Sequence, residues 1–421
     1  MTATPARAVV IGAGIGGLAA AAGLRLAGWD VTACERATSV EPVGAGLALA
    51  PNGLRALDAI GAGDALRALA VPQELGIRRS DGRWLTRSST GRMVADRFKD
   101  PVILLPRSAV IDVLADRVPG EVLSLGTEVT SVEPGGRTAA RVRTTAGELD
   151  ADLVVAADGI GSATRQALFP GHPGLRYAGF TTWRLLTGPV TGQVLMAESW
   201  GRGTVFGVMP LSDGRVYCYA AAPADPGARA GDELAELVRL FGTWHPPIPG
   251  LLAITRPQDV LRHDVAELAA PLPSFHLGRV ALLGDAAHPM TPNLGQGACQ
   301  ALEDAAVISR LAAGAGPDAV TRVLARYSAD RLPRTTDVVR WSRRTATMTT
   351  WTSPPAVAFR NAVIRLTGKL APEAALRGLA SIYDWQPPAA AHPTDAALTP
   401  ALDSVPRSHP AGLGIAPCCF P

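Results

Sequence analysis

Apolar and polar positions change rhythm several times along this chain. It opens on an unbroken apolar run, Ala8 to Ile11. A glycine-rich turn follows, then an Ala/Leu-rich stretch at helical spacing from Gly14 to Ala27, and a second apolar run, Asp30 to Cys34, that ends at Glu35. Short continuous apolar runs read as buried strands, and a helical stretch between two of them reads as a βαβ unit. Pro51 to Leu69 and Ser108 to Val118 repeat at helical spacing, the second through Val110, Ile111, Val113, Leu114 and Val118. Both predict helices packed on a sheet.

From Val122 to Ala157 the rhythm shortens to strand-like segments, Val129 to Val132, Ala140 to Thr144 and Leu153 to Ala157, separated by Gly135-Gly136 and Gly147. Arg176 to Ala222 is again strand-rich, with Ser212-Asp213-Gly214 as a hairpin turn between Val205 to Met209 and Val216 to Ala221. Val280 to Leu283 returns to a buried-strand pattern, and Gly297 to Leu311 places Ala301, Ala305, Ile308 and Leu311 on one helical face. Leu324 to Tyr383 reads as helices broken by Pro354-Pro355 and Pro372.

The expected fold is α/β. A discontinuous Rossmann-like unit over 1–75, 102–175 and 278–340 carries an inserted β-rich unit over 76–101 and 176–277; helices over 341–385 and a disordered Pro/Ala-rich tail, 386–421, complete the chain.

With 421 residues and 47% hydrophobic content the chain can bury a large core, while its net charge of +3 and lack of any Lys/Arg block give no sign of a nucleic-acid partner. Its five cysteines, Cys34, Cys218, Cys299, Cys418 and Cys419, show no metal-ligand spacing, so no metal site is expected, and they fit a reducing cytoplasm. The apolar stretch after Arg7 superficially resembles a secretion signal, but the glycines between Gly12 and Gly23 would weaken a signal helix and instead suit a strand-turn-helix unit. No stretch of about twenty residues lacks both charges and prolines, so no membrane span is expected.

Gly12-Ala13-Gly14-Ile15-Gly16-Gly17 fits G-x-G-x-x-G between strand and helix. Gly12 allows the tight turn, Gly14 lets the backbone approach a pyrophosphate at the positive helix end, Gly17 permits close packing, and Glu35 can accept from ribose hydroxyls. Two more acids close apolar runs beside glycines: Asp158 in Ala157-Asp158-Gly159-Ile160-Gly161-Ser162, and Asp285 in Gly284-Asp285-Ala286-Ala287-His288-Pro289. Strand C-termini are where ligands bind in open α/β sheets; either acid taken singly could instead cap the turn that follows, a reading that the order of all three motifs disfavours. Glycines opening the helix at Gly297 present free N–H groups to a neighbouring anion.

These three motifs in this order, with Pro292-Asn293-Leu294-Gly295-Gln296-Gly297 after the third, resemble the group A flavoprotein monooxygenases, the para-hydroxybenzoate hydroxylase-like family, over residues 8 to 385. The resemblance implies bound FAD, with Glu35 at the adenosine ribose, Val129 beside adenine, Arg107 near the sugar-phosphate chain, and Asp285 at the ribityl chain. Asp158 would serve the pyrophosphate and the use of NADH or NADPH. Arg36, Gly46, Gly295, Gly297 and Ala298 complete the expected cofactor set, and Pro292 would border the flavin face where oxygen reacts. Tyr177, Arg184 and Tyr217 lie in segments resembling those that line substrate pockets; sheet packing or a surface ion pair would explain them as well.

The implied activity is hydroxylation of a small aromatic molecule: NAD(P)H reduces FAD, O2 adds at flavin C4a, and the hydroperoxide delivers one oxygen atom. No residue stands out as a catalytic base, and His288 reads as structural. Epoxidation, Baeyer-Villiger oxidation and non-catalytic flavin binding are the alternatives. A halogenase is disfavoured because no W-x-W-x-I-P element occurs. The expected protein is a monomer or homodimer.

Overall fold

The computed structural model describes residues 5–40, 46–69, 75–88, 90–192, 194–370 and 372–389. Of the tail expected to lack order, 386–389 carry no regular structure, and 390–421, with Cys418 and Cys419, lie outside the described residues.

The opening pattern folds as β1 (Arg7–Ile11), α1 (Ile15–Leu26) and β2 (Asp30–Glu35). These strands are central to a six-stranded sheet ordered His276–Leu277, Val280–Leu282, Leu153–Ala156, β1, β2, Leu123–Leu125. All neighbours are parallel except the first pair. Leu153–Ala156 and Val280–Leu282 are buried at every position, as strands covered on both faces must be, which is why they read as unbroken apolar runs. A three-stranded antiparallel sheet, Gly147–Ala151, Ala140–Thr144 and Val129–Glu133, sits within this unit. Leu123–Leu125 and Gly147–Ala151 are strands that the apolar pattern did not mark.

A seven-stranded sheet runs Val260–Leu268, Leu175–Pro189, Arg215–Pro223, Val205–Pro210, Ala197–Trp200, Leu75–Arg79, Trp84–Ser88. One face packs Trp183, Phe206 and Cys218 against Leu237 and Phe241 of helix Glu233–Phe241 and Leu251 of helix Ile248–Ala253. The opposite face carries Trp200, Met209, Tyr217 and Tyr219, which pack with Ala48 and Leu104. Those two come from the antiparallel pair Gly46–Leu49 and Ile103–Pro106, whose alternate residues Leu49, Ile103 and Leu105 enter the main core instead. The two-residue strand period thus makes one short ribbon a seam between the two sheets.

Three boundaries differ from expectation. Pro51 to Leu69 forms two helices, Pro51–Ala59 and Gly63–Arg67, because Gly61 turns the chain at φ +73°. Helix Thr90–Phe98, expected in the β-rich unit, packs Val94 and Phe98 into the main core, where the Phe98 ring meets Tyr383 edge-on at 5.3 Å. Residue 340 ends nothing: helix Val320–Thr349 is continuous through it and through Pro333. No described helix is long and apolar enough to cross a membrane.

Beneath the loop that follows Val280–Leu282 lies a buried charge network. Asp304 accepts from the Gly284 backbone N–H (2.9 Å), from His288 Nε2 (2.6 Å) and from Arg331 Nε (2.6 Å). Glu303 accepts from Arg331, from Arg334 (2.6 Å) and from Asn52 Nδ2 (2.7 Å), and Asn52 also donates to Gln296 Oε1 (2.9 Å). Asn52, Glu303, Asp304 and Arg331 are at most 1% exposed. Burial pushes the Asp304 carboxyl up, but His288, Arg331 and the hydrogen bonds outweigh it and hold the group below its ordinary value.

Breaking such a pair strands the remaining charge. Arg331→Met is therefore expected to cost about 3–5 kcal/mol in urea unfolding. A depressed carboxyl stabilises fully above its unfolded value and stops doing so as pH falls through the folded one, so the gap between wild type and Asp304→Asn should narrow on acidification. A gap that widens in acid would contradict this assignment.

Candidate active site

The turn between β1 and α1 is shaped by contacts only glycine allows. Gly12 stands at φ +93°, and a Cβ there would come 2.7 Å from the Ala157 carbonyl oxygen; one at Gly17 would come 1.9 Å from the Gly12 oxygen. These glycines let β1, α1 and the strand end at Ala157 meet closely. Gly14 differs, for a Cβ there would meet nothing within 4 Å. Gly14 instead faces a cleft of about 420 Å³ that Gly12, Glu35, Arg36, Val129, Asp158 and Gly161 also line.

Electrostatically the cleft suits an anionic, hydroxyl-rich ligand. The α1 N-terminus has no side-chain cap and no acid in its first turn, so its N–H groups are free to face an anion. Glu35 ends β2 and accepts from the Ala13 N–H (2.7 Å) and the Ala37 N–H (2.9 Å), which fixes the carboxylate at the rim. Asp158 Oδ2 accepts from the Thr164 N–H (3.1 Å), while Oδ1 is buried among the described residues with no partner. An orphaned carboxylate oxygen beside an open glycine turn is what a ligand supplying hydroxyl or N–H donors would satisfy.

Arg165, which the sequence reading missed, joins two motifs. It is 3% exposed, and its guanidinium donates to the carbonyls of Ile160 (2.6 Å), Asp285 (3.3 Å) and Ala286 (3.0 Å). One arginine thereby clamps the Asp158 turn to the Asp285 turn. Its signal was faint, a lone cation on the apolar side of the six-residue helix Ala163–Leu168.

Farther along, three predicted residues from distant segments, Arg184, Tyr217 and Asp285, come within electrostatic reach of a fourth, Arg107. Arg107 opens helix Arg107–Ala115 with its guanidinium pushed down first by burial and then by Arg184, against the opposing charges of Asp285 and Tyr217. Burial pushes the Tyr217 phenol up to about 12, opposed by Arg184 and Arg107. Tyr217 also lies against the Gly46 backbone, where a Cβ would sit 2.4 Å from its ring. Arg107 thus feels the like charge of Arg184 and the opposing charge of the exposed Asp285 carboxylate, and Tyr217 feels both arginines, leaving positive potential where the ribbon seam meets the seven-stranded sheet. Such a place favours an anion, whether a reduced flavin ring or an ionised substrate.

The loop before helix Gly297–Ala312 completes this end. Pro292–Leu294 is a single 3₁₀ turn closed by Gly295 at φ +60°, and Gln296 precedes the helix without a side-chain cap. Pro292, Gly295, Gly297 and Ala298 are partly exposed, with Gln296 buried behind them. Tyr177 stands apart from the arginine group. Its hydroxyl donates to the Ala224 carbonyl (2.7 Å), and it borders a separate 250 Å³ pocket with Glu267, Thr291 and Arg343. His288 is buried on Asp304, in the structural place read from the sequence.

A parallel sheet with a glycine turn, an acid closing the next strand and an open cleft over the helix end define a dinucleotide-binding protein. Residues 6–342 match the family described as FAD binding domain, and the chain belongs to that family. It is 36% identical over 363 residues to the aurachin C monooxygenase/isomerase of Stigmatella aurantiaca, covering 85% of this chain and 93% of that protein. It is 35% identical to the 3-amino-4-hydroxybenzoate 2-monooxygenase of Streptomyces cremeus, covering 81% and 86%. In structure it is similar to Klebsiella pneumoniae HpxO complexed with FAD and uric acid, with TM-score 0.81, 29% identity and coverage of 89% and 95%. The chain is an FAD-dependent monooxygenase of the group A flavin hydroxylases.

The two glycines separate binding from folding. Gly14→Val should fold with wild-type stability yet hold FAD at least ~10-fold more weakly, ~1.4 kcal/mol, because its side chain enters the cleft rather than the protein. Gly17→Ala should lower both the thermal midpoint and FAD retention. Equal FAD content in Gly14→Val and wild type, read by absorbance after purification, would contradict the placement.

Proposed function

We propose that this enzyme uses NADH or NADPH and O2 to hydroxylate a small aromatic or heteroaromatic molecule that ionises in the site. The observation carrying this reading is the group formed by Arg107, Arg184, Asp285 and Tyr217, where two cations lie within reach of each other and of the Tyr217 phenol. Relatives named for an aminohydroxybenzoate and a neighbour holding uric acid support a ring with acidic O–H or N–H groups. Bound FAD supplies the redox and oxygen chemistry.

The residues then divide the work. The Gly12 to Gly17 turn and the α1 N-terminus hold the pyrophosphate; Glu35, Arg36 and Val129 hold the adenosine end; and Asp158, Asp285 and Arg107 hold the linking chain. With FAD bound, the free N–H groups opening helix Gly297–Ala312, and the Pro292 turn before it, would serve the ring end and favour negative charge there. Arg184 and Tyr217 orient the substrate from the seven-stranded sheet, and the seam of Gly46–Leu49 with Ile103–Pro106 keeps water from the reacting end.

Purified protein should be yellow and release FAD on denaturation. A panel of phenols and N-heteroaromatics should include compounds that accelerate NADH or NADPH oxidation and gain one oxygen by mass. Arg184→Met should lower kcat/KM for such a compound by roughly 10- to 100-fold, the ~1.5–3 kcal/mol of a charge-assisted hydrogen bond. A panel in which no aromatic compound stimulates oxidation would overturn the hydroxylase reading.

A further inference from the structure

Helix Pro354–Leu370 reverses the usual arrangement of a surface helix. Its inner side sets Arg360, 2% exposed, and Ile364 against the seven-stranded sheet. Arg360 donates to the carbonyls of Gly201 (3.0 Å) and Met348 (3.2 Å) and lies 5.1 Å over the Trp200 ring, while Ile364 joins the cluster of Ile77, Leu85 and Trp200. Gly368 closes the contact, for a Cβ there would come 2.8 Å from Thr86 Oγ1. On the opposite side Pro355, Phe359, Ala362, Leu366 and Leu370 recur at intervals of three or four, which sets them in one stripe. All five are exposed, Phe359 at 63%, Leu366 at 60% and Leu370 at 69%. A surface helix ordinarily turns its apolar stripe to the core and its charges to water. Here a charge is buried and the stripe faces out.

Cations surround the stripe. The helix carries Arg360, Arg365 and Lys369 and no acid, with Arg365 and Lys369 exposed along one flank. A groove of about 420 Å³ between this helix and the sheet is lined by Arg365, Arg79 and Arg202, with Trp200 and Asn361. Residues 75–88, the edge hairpin on which the helix packs, hold Arg78, Arg79, Arg83 and Arg87 against a single acid, Asp81, which pairs with Arg79 at 3.1 Å. Whatever covers this face must be anionic outside and apolar within. A second copy brought to it by a two-fold axis would set the same cations against one another, and three large side chains offer less than the ~800 Å² a side that a stable interface needs. A nucleic acid would match the cations and leave Phe359, Leu366 and Leu370 in water. A lipid surface matches both: acyl chains take the stripe, and long Arg and Lys side chains reach up to anionic headgroups.

We propose that this face docks on a lipid bilayer rich in anionic headgroups, with Phe359, Leu366 and Leu370 entering the acyl boundary and Arg79, Arg202, Arg365 and Lys369 at the phosphates. The helix lies in the plane of the surface and does not cross it. Its inner side packs Ile364 into the cluster that holds Tyr217 and Met209, so docking brings the seven-stranded sheet up to the bilayer. The inference does not rest on the hydroxylase reading above.

The test mixes the full FAD-loaded chain with vesicles of phosphatidylcholine alone, or of phosphatidylcholine and phosphatidylglycerol in equal parts, and measures the protein that sediments with them. Wild type should bind the anionic vesicles, come off them as salt is raised, and leave the phosphatidylcholine vesicles unbound. Leu366→Glu, and separately the pair Arg365→Gln with Lys369→Gln, should lower binding to anionic vesicles by at least ~10-fold. FAD absorbance and thermal midpoint should stay unchanged in both, because these side chains face outward. Wild type that fails to sediment with anionic vesicles, or Leu366→Glu that binds as wild type does, would overturn the proposal. So would a mass of two chains in light scattering that falls to one in Leu366→Glu, which assigns the face to a second copy. Hydroxylation plays no part in these readouts, so the two readings fail separately.

Discussion

The structure depends on burying two acidic side chains, Glu303 and Asp304, against Arg331 at the junction of its motifs. Isolated charges in that position would be untenable, and only complete pairing with hydrogen bonds makes them tolerable. Their partners are the functional loops themselves: Asp304 holds the Gly284 N–H and His288 on either side of Asp285, and Glu303 reaches Gln296 through Asn52. The loops that carry Asp285 and the Gly295 turn thus stand on a buried polar floor.

Above this floor the site is asymmetric. At one end, the glycine turn and the α1 terminus offer backbone donors and open space, with an Asp158 oxygen that has no partner among the described residues. At the opposite end, Arg107 and Arg184 leave positive potential under a sheet that carries Tyr217 and Tyr219. One end is built to grip and the other to stabilise charge, the division a redox cofactor requires when its ring must exchange electrons beside a second ligand.

Features whose cause is local were legible in the sequence. Gly12 and Gly17 are dictated by contacts within one strand-turn-helix unit, Glu35 and Asp158 by strand ends, and the buried parallel strands by unbroken apolar runs. Arg107, Arg184, Asp285 and Tyr217 were each named, but no spacing could show that segments this far apart would meet. Arg331 and Arg165 were invisible because Asp304 and Asp285, which they hold, lie 27 and 120 positions away, and a buried arginine has no periodic signature. Tyr177 was named with packing as an equal alternative, and its hydroxyl is taken by a backbone carbonyl.

In the proposed reaction one atom of O2 passes at this site to a ring held by the second sheet. Turnover of a stimulating phenol under isotopically labelled O2, with product mass measured, tests it most directly. The account predicts one labelled oxygen in the product and one in water. A product that carries its new oxygen from solvent, or that is oxidised without gaining oxygen, would contradict it.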